Sequence, residues 1–288
     1  MNKYLKVMAK VRVHPITWLV MGIAVLTAHF QQLIMLLIVV FFHEMGHAWM
    51  ATRYKWRIKS ITLLPFGGVM ETEEYGNRSI KEEVNVIVFG PLQHLWLFAL
   101  AYGLFAGGFL SEVSFLTFAY MNASICLFNL LPLWPLDGGK LLFLFLSIRL
   151  SFLKSHKWML QFSLLFIMLL VPLSIWLQQF SLNMCIIMAF LLFSIAMEWK
   201  QRHYIFMRFL LERHYGKNKE VLQLKPIRVD ENEKLYSLLQ YFQRGCKHPV
   251  IVTNQGKEKG ALDETEVLHA YFTEKRTGDK VGDLLYSY

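Results

Sequence analysis

The stretch FFHEMGHAWM, residues 41–50, places two histidines and a glutamate inside one of the most apolar parts of the chain. His43 and His47 are four residues apart, so both side chains lie on one face of an α-helix. Glu44 directly follows the first histidine. A charged group at bilayer depth is costly, and an ionisable residue in a membrane helix therefore indicates function. The stretch predicts a membrane helix that carries a chemically active site.

The spacing of these residues is the pattern H-E-x-x-H, in which two histidines bind Zn²⁺ and the glutamate is the general base of a metalloprotease. A chance match is expected about once in a hundred chains of this length at average composition. A purely structural zinc site would use four protein ligands. The apolar surroundings favour one catalytic zinc per chain, with His43 and His47 as ligands and Glu44 as the base.

A catalytic zinc needs a third protein ligand, and Asp137 is the leading candidate. It is the only acidic residue between Glu112 and Glu198. The prolines and glycines of NLLPLWPLDGG, residues 129–139, break a helix there and let the chain turn back into the bundle. Two alternatives stay open. Asp137 is a plain helix N-cap, or the third ligand is His94.

The whole chain has the composition of a membrane protein. Of its 288 residues, 55% are hydrophobic and 18% are charged. Apolar runs of about 17–25 residues cross a bilayer as helices. We predict six crossings from the runs at 16–30, 33–42, 84–109, 115–136, 158–177 and 184–197.

The net charge of +9 reflects membrane topology. Residues 1–197 contain 14 Lys and Arg against 8 Asp and Glu. No Lys or Arg occurs in the loops 28–32, 107–114 and 177–183. This asymmetry follows the positive-inside rule and predicts a multi-pass protein with both termini in the cytosol. Direct binding of nucleic acid is therefore not expected.

Composition divides the chain into three predicted parts. Residues 1–197 form the membrane domain, in which the β-branched and glycine-containing segment 59–74 predicts a hairpin or small sheet beside the membrane. Residues 198–224 predict an amphipathic linker helix. Residues 225–288 alternate strand and helix patterns and predict a small α/β domain. The predicted fold class is mostly α, with a six-helix membrane domain, a small sheet and a C-terminal α/β domain.

HEMGH in one apolar run, followed about 80 residues later by N-x-x-P-x-x-P-x-D-G-G, resembles the site-2 protease family of intramembrane zinc metalloproteases. The resemblance covers the layout of residues 1–197. It implies peptide-bond hydrolysis near the cytosolic face, with Glu44 as the catalytic residue and zinc ligands His43, His47 and Asp137. It also implies substrate contacts from Asn129, Pro135, Gly67 and Gly68.

One departure from the family pattern is GPLQH, residues 90–94, where many relatives have G-P-x-x-N. The role of His94 therefore does not follow from the resemblance.

The C-terminal segment 225–288 resembles a CBS domain in its order of strands and helices. Such domains often bind adenine nucleotides such as ATP and work in pairs. The resemblance implies a nucleotide ligand and a homo-oligomer formed through this domain. A solubilising tail or a docking platform is the alternative that stays open.

Six spans followed by one CBS-like domain are similar to the site-2 proteases that act in sporulation of endospore-forming bacteria. This similarity implies a membrane-associated pro-sigma factor as substrate. It further implies membrane inhibitor or regulator proteins as partners, and a location in the membrane surrounding the forespore.

A different class of function also places His and Asp at bilayer depth. A membrane divalent-metal transporter or a metal-binding regulatory membrane protein is the alternative hypothesis. A transporter would need polar residues along several helices, and beyond His94 the other apolar runs offer few. A pseudoenzyme would be expected to lack Glu44 or a ligand, and none is missing.

Overall fold

A computed structural model describes residues 8–27, 30–64, 67–74, 76, 78–178, 181–216 and 223–285. The chain divides into two compact units. The first comprises residues 1–74, 81–132 and 136–141, and the second comprises residues 75–80, 133–135 and 142–288. Most of the described residues are helical, as the sequence predicts.

The first unit contains a small sheet and the helices that carry HEMGH and its neighbours. The strands are β1 (Val11–Val13), β2 (Ile58–Leu64) and β3 (Gly67–Thr72). The helices are α1 (Pro15–Leu26), α2 (Phe30–Arg53), α3 (Ile80–Ala106), α4 (Glu112–Asn129) and the start of α5 (Asp137–Ser147).

The sheet beside HEMGH has the strand order β1-β2-β3. β2 and β3 pair antiparallel, with Leu63 opposite Gly68, which confirms the small sheet predicted for residues 59–74. β1 pairs parallel with β2, with Val11 opposite Ile61, and the sequence analysis did not predict this strand. Pro65 of the predicted turn lies outside the described residues.

Four described helices are long and apolar enough to cross a membrane, and they cover Phe30–Arg53, Ile80–Ala106, Phe152–Trp176 and Met184–Tyr215. The other two of the six predicted crossings correspond to the helices α1 and α4. α1 has 12 residues and is therefore about 18 Å long, which is short of a hydrocarbon core of about 30 Å. α4 has 18 residues and is not one of the four.

The second unit contains α6 (Phe152–Trp176) and α7 (Leu182–Tyr215). The segment predicted as a separate linker helix, residues 198–224, continues α7 without a break as far as Tyr215. Residues 217–222 of that segment lie outside the described residues. At 34 residues, α7 is about 51 Å long.

The C-terminal part of the second unit consists of short strands and helices. The strands are β4 (Gln223–Leu224), β5 (Ile227–Asp230), β6 (Cys246–Lys247), β7 (Val250–Asn254) and β8 (Lys257–Leu262). The helices are α8 (Leu235–Leu239), α9 (Glu264–Phe272) and α10 (Val281–Leu284). β5 pairs parallel with β7, which pairs antiparallel with β8, so the strand order is β5-β7-β8.

These C-terminal elements share one hydrophobic core with the end of α7. Phe206, Phe209 and Leu210 of α7 are buried in the same cluster as Leu235 and Val250. The guanidinium of Arg213 in α7 also donates to the carboxylate of Glu264 in α9. The α/β part is therefore packed directly on the end of α7.

Candidate metal centre

The two histidines and the glutamate of HEMGH lie on the buried face of α2. His43 is 3% exposed, Glu44 is 5% exposed and His47 is 4% exposed. One ligand atom from each of these side chains lies within 4.8 Å of the other two. The two Nε2 atoms of the histidines are 3.1 Å apart, as expected for residues one helical turn apart.

Asp137 brings a carboxylate to the same point from the first turn of α5. Its Oδ2 atom lies 3.1 Å from Nε2 of His43 and 3.0 Å from Nε2 of His47. Asp137 is 2% exposed, so it shares the water-poor environment of the histidines. The structure thus places Asp137 beside the two histidines, and its role as a metal ligand stays a prediction.

The Oδ2 atom of Asp137 has no hydrogen-bond partner among the residues that the structure describes. The other oxygen, Oδ1, accepts from Nζ of Lys140 at 3.0 Å. The carboxylate is thus paired with a side chain on one oxygen and not used to cap the backbone of α5. Among the described residues, neither oxygen of Asp137 therefore has the backbone hydrogen bond that an N-cap residue would make.

The hydrogen bond of His47 to the backbone indicates which ring nitrogen carries the hydrogen. Its Nδ1 atom lies 2.8 Å from the carbonyl oxygen of Val86. A carbonyl oxygen only accepts, so Nδ1 carries the hydrogen and Nε2 of the neutral ring carries a lone pair. The neutral ring thus turns a lone pair towards Asp137 Oδ2, 3.0 Å away, and a metal ion or a proton between the two atoms would stabilise the contact.

These donors fit a catalytic zinc. Nitrogen and oxygen ligands bind Zn²⁺ at about 2.0–2.2 Å, and tetrahedral ligands at that distance are about 3.3–3.6 Å apart. The three observed separations of 3.0–3.1 Å are slightly shorter, and a cation would open them by a few tenths of an ångström. Three protein ligands leave one position open, as in catalytic sites and not in structural ones.

His94, the alternative third ligand, lies on the other side of His43. Its Nε2 atom is 3.1 Å from Nδ1 of His43, the ring nitrogen that faces away from Asp137. Nδ1 of His94 is 2.8 Å from Oδ1 of Asn122 in α4. His94 therefore contacts His43, and its ring nitrogens do not join the Nε2 atoms of His43 and His47 and the Oδ2 atom of Asp137. The sequence pattern did not identify Asn122, and its only signal is a polar amide side chain in an otherwise apolar run.

Strand β3 lies directly against the glutamate. A Cβ atom built on Gly68 would overlap Cγ of Glu44 and would lie 2.8 Å from its Oε1. Gly68 therefore lets the backbone of β3 approach the predicted base. Gly67, also predicted as a substrate contact, is the first residue of β3.

The other two predicted substrate contacts lie at the end of α4 and in the loop that follows it. Asn129 is the last residue of α4, and its Nδ2 donates to the carbonyl of Ile125 at 3.0 Å. Pro135 follows a cis peptide bond from Trp134 and precedes α5 by two positions. Their role in binding substrate stays a prediction.

The close approach of α2 and α3 depends on glycine. A Cβ atom at Gly90 would overlap Cε1 and Nε2 of His47 and would lie 2.9 Å from its Cδ2. We expect Gly90→Ala to displace this ligand and lower zinc affinity by about 10–100-fold, a range typical of disturbed ligand orientation. Zinc competition titrations measure the change. Gly103→Ala on the same helix is the matched control, because apart from its own helix backbone no atom lies within 4 Å of its Cβ position. Equal affinities of the two variants would contradict the prediction.

Comparison with known proteins gives matches over this region and over the whole chain. The profile of peptidase family M50 matches residues 31–117 and 108–170. Stage IV sporulation protein FB of Bacillus subtilis (strain 168) is 46% identical over 288 residues, which are 100% of both chains. A zinc metalloprotease of Methanocaldococcus jannaschii is 32% identical over 127 residues, 43% of this chain and 37% of that protein.

Among solved structures, the site-2 protease from Methanocaldococcus jannaschii has a similar fold, with a TM-score of 0.51 and 24% sequence identity. The similarity covers 65% of this chain and 89% of that one.

Proposed function

The chain belongs to peptidase family M50, the site-2 protease family, and is therefore a membrane metalloendopeptidase; from this premise we propose that it cuts a membrane-associated pro-sigma factor during sporulation. The relative that supports sporulation is Stage IV sporulation protein FB, which matches the chain from end to end at 46% identity. The sigma-factor substrate follows from the resemblance of the sequence to sporulation proteases.

One observation carries the chemistry of this proposal. An unpartnered carboxylate oxygen of Asp137 lies 3.0–3.1 Å from the Nε2 atoms of His43 and His47, with Glu44 beside them, in surroundings closed to bulk water. His43, His47 and Asp137 would hold one Zn²⁺, which supplies Lewis acidity for hydrolysis when bound. Zinc is favoured over other divalent ions by two imidazoles and one carboxylate.

Glu44 does the proton chemistry in this proposal. Its carboxylate accepts a proton from the attacking water and returns it to the amine that leaves the cut peptide bond. Its 5% exposure keeps bulk water from competing for that proton. Arg53 at the end of α2 is ten residues, or about 15 Å, from His43, which supports cleavage nearer the cytosolic face.

The substrate must be extended to be cut, because the carbonyls of an intact helix are satisfied within the helix. Strand β3 offers a place for an extended segment, since no described strand pairs with its outer edge. Added strands bind through main-chain hydrogen bonds. We propose that substrate pairs with β3 at Gly67 and Gly68, next to Glu44. Asn129, at the end of α4, and Pro135, in the loop before α5, are proposed as further substrate contacts.

Pairing with β3 predicts an alternating effect of backbone methylation. Substrate peptides with single N-methylated amides near the cut bond are expected to be cleaved more slowly at every second position, because successive amides of a strand point in opposite directions. Initial cleavage rates by mass spectrometry measure this. Isomeric peptides with the extra methyl on the side chain control for bulk. A uniform effect along the peptide would contradict pairing with β3.

We further propose the six-crossing topology, with α1 and α4 completing the four long apolar helices. Both termini then face the cytosol, in agreement with the distribution of Lys and Arg. We also propose that the protein lies in the membrane surrounding the forespore. Inhibitor or regulator proteins of that membrane are proposed to control it.

The C-terminal α/β part is proposed to be a CBS-like regulatory domain that binds an adenine nucleotide such as ATP and forms a homo-oligomer. Its support is the order of β5, α8, β7, β8 and α9 in the chain. ATP is expected to change the cleavage rate of the full chain, with GTP as the control nucleotide. Equal rates with and without ATP would contradict this role.

The experiment that tests the proposed function is reconstitution of the full chain in vesicles with a membrane-tethered pro-sigma substrate. A single product of lower mass, lost on chelation of zinc and restored by adding it, is the expected result. Zinc uptake into the same vesicles without any cleavage would favour the transporter alternative instead.

A further inference from the structure

Three side chains from three helices form a line of hydrogen bonds that ends at the candidate metal centre. Oδ1 of Asn122 in α4 is 2.8 Å from Nδ1 of His94 in α3. Nε2 of His94 is 3.1 Å from Nδ1 of His43 in α2. All three side chains are only 3% exposed. The bonds therefore form where water does not compete with them.

A backbone carbonyl fixes the direction of this line. Nδ2 of Asn122 donates to the carbonyl oxygen of His94 at 2.9 Å. Because that oxygen only accepts, the amide cannot be turned over, and its Oδ1 must face the ring of His94. Oδ1 in turn only accepts, so Nδ1 of His94 carries the hydrogen.

The tautomer of His94 determines that of His43. A neutral imidazole with its hydrogen on Nδ1 has a lone pair on Nε2. His94 therefore accepts at Nε2, and Nδ1 of His43 donates to it. The remaining nitrogen of His43, Nε2, is left with a lone pair, and this is the atom 3.1 Å from Asp137.

We propose that Asn122 and His94 are positioning residues that hold His43 as the tautomer and in the orientation that bind zinc; this rests on the proposed function. His47 receives the same support from the carbonyl of Val86. The orientation of His47 is thus fixed by the backbone of α3, and that of His43 by side chains of α3 and α4. The proposal also gives a role to His94, which the resemblance left without one.

Zinc affinity tests the proposal without depending on proteolysis. His94→Leu removes the acceptor for His43, and we expect zinc affinity to fall by about 10–100-fold, the usual effect of losing such a partner. His94→Gln keeps an acceptor oxygen at the end of the side chain and should recover most of that loss. Asn122→Leu should produce a smaller loss in the same direction. Thr117→Val on α4, whose hydroxyl bonds only within that helix, is the matched control.

Cobalt substitution gives a second measurement. The visible absorption bands of the Co²⁺-loaded chain report the geometry of its ligands. They are expected to move in His94→Leu and to stay near the wild-type position in His94→Gln and Thr117→Val.

The outcomes separate this proposal from the proposed function. Wild type that binds zinc and cleaves, beside a His94→Leu variant with the affinity and cobalt bands of the control, would overturn the positioning role alone. Equal losses in His94→Leu and His94→Gln would also overturn it, because the acceptor would then not be what matters. Wild type that binds no zinc would overturn both proposals.

Discussion

Glu44→Gln is expected to lower cleavage by about 10²–10⁴-fold, the contribution of a general base, while one zinc remains bound per chain. Glutamine keeps the size and shape of glutamate but cannot take a proton from water. Glu44 is 5% exposed and lies against Gly68, so the substitution must conserve volume to leave β3 and α2 in place. The ligand atoms of His43, His47 and Asp137 are untouched by it.

The measurement is zinc content and cleavage rate in the same preparation. Glu112→Gln, at an exposed position in the first turn of α4, is the matched control and should cleave like wild type. If Glu44→Gln cleaves at the rate of this control, Glu44 is not the base. If it loses its zinc, the carboxylate is itself needed to hold the metal.

Asp137→Ala is expected to abolish both zinc binding and cleavage, with a loss of zinc affinity well above the roughly 100-fold of indirect ligand effects. The change removes Oδ2, which has no other hydrogen-bond partner among the described residues. It leaves two histidine ligands, fewer than catalytic zinc sites use.

Lys140→Met separates the two roles of the aspartate. It removes the partner of Oδ1, 3.0 Å away, and leaves Oδ2 beside the histidines. Zinc affinity should fall by no more than about 10-fold, because only the support of a ligand is lost. Metal analysis and competition titrations measure both variants. Equal losses in Asp137→Ala and Lys140→Met would mean that the ion pair, and not the ligand atom, is what the site requires.

Zinc content and cleavage together distinguish the hypotheses about the site. If wild type, Glu44→Gln and Asp137→Ala all hold zinc and none cleaves, the site is structural or serves transport. His94 would then be the next residue to test as a ligand.

Several features follow from the sequence because their physical cause is local. The spacing of His43 and His47 fixes their common face on α2, since a helix repeats every 3.6 residues. The prediction that Asp137 joins them rested on its being the sole acidic residue in a long apolar region, where polar groups require a reason. The family resemblance of these motifs is confirmed by the full-length match at 46% identity.

Other features were decided by the tertiary structure alone. Asn122 and His94 are 28 residues apart, and neither has a periodic pattern that joins it to His43. Likewise Gly90 lies against His47, and Gly68 against Glu44, only because α3 and β3 pack on α2. The parallel strand β1 and the unbroken length of α7 depend on packing in the same way.

One physical difference separates the features that follow from the sequence from those that depend on the tertiary structure. Hydrophobic periodicity, the spacing of two histidines and the cost of charge in lipid act over a few residues or on a whole segment. The sequence by itself therefore determined the membrane class and the helix that carries H-E-x-x-H, and it made Asp137 the leading candidate for a third ligand. Hydrogen bonds and steric contacts between helices depend on which faces meet. The hydrogen-bond partners of His43 and His47, the contact of Gly90 with His47 and the position of β3 beside Glu44 were therefore decided only when the chain folded.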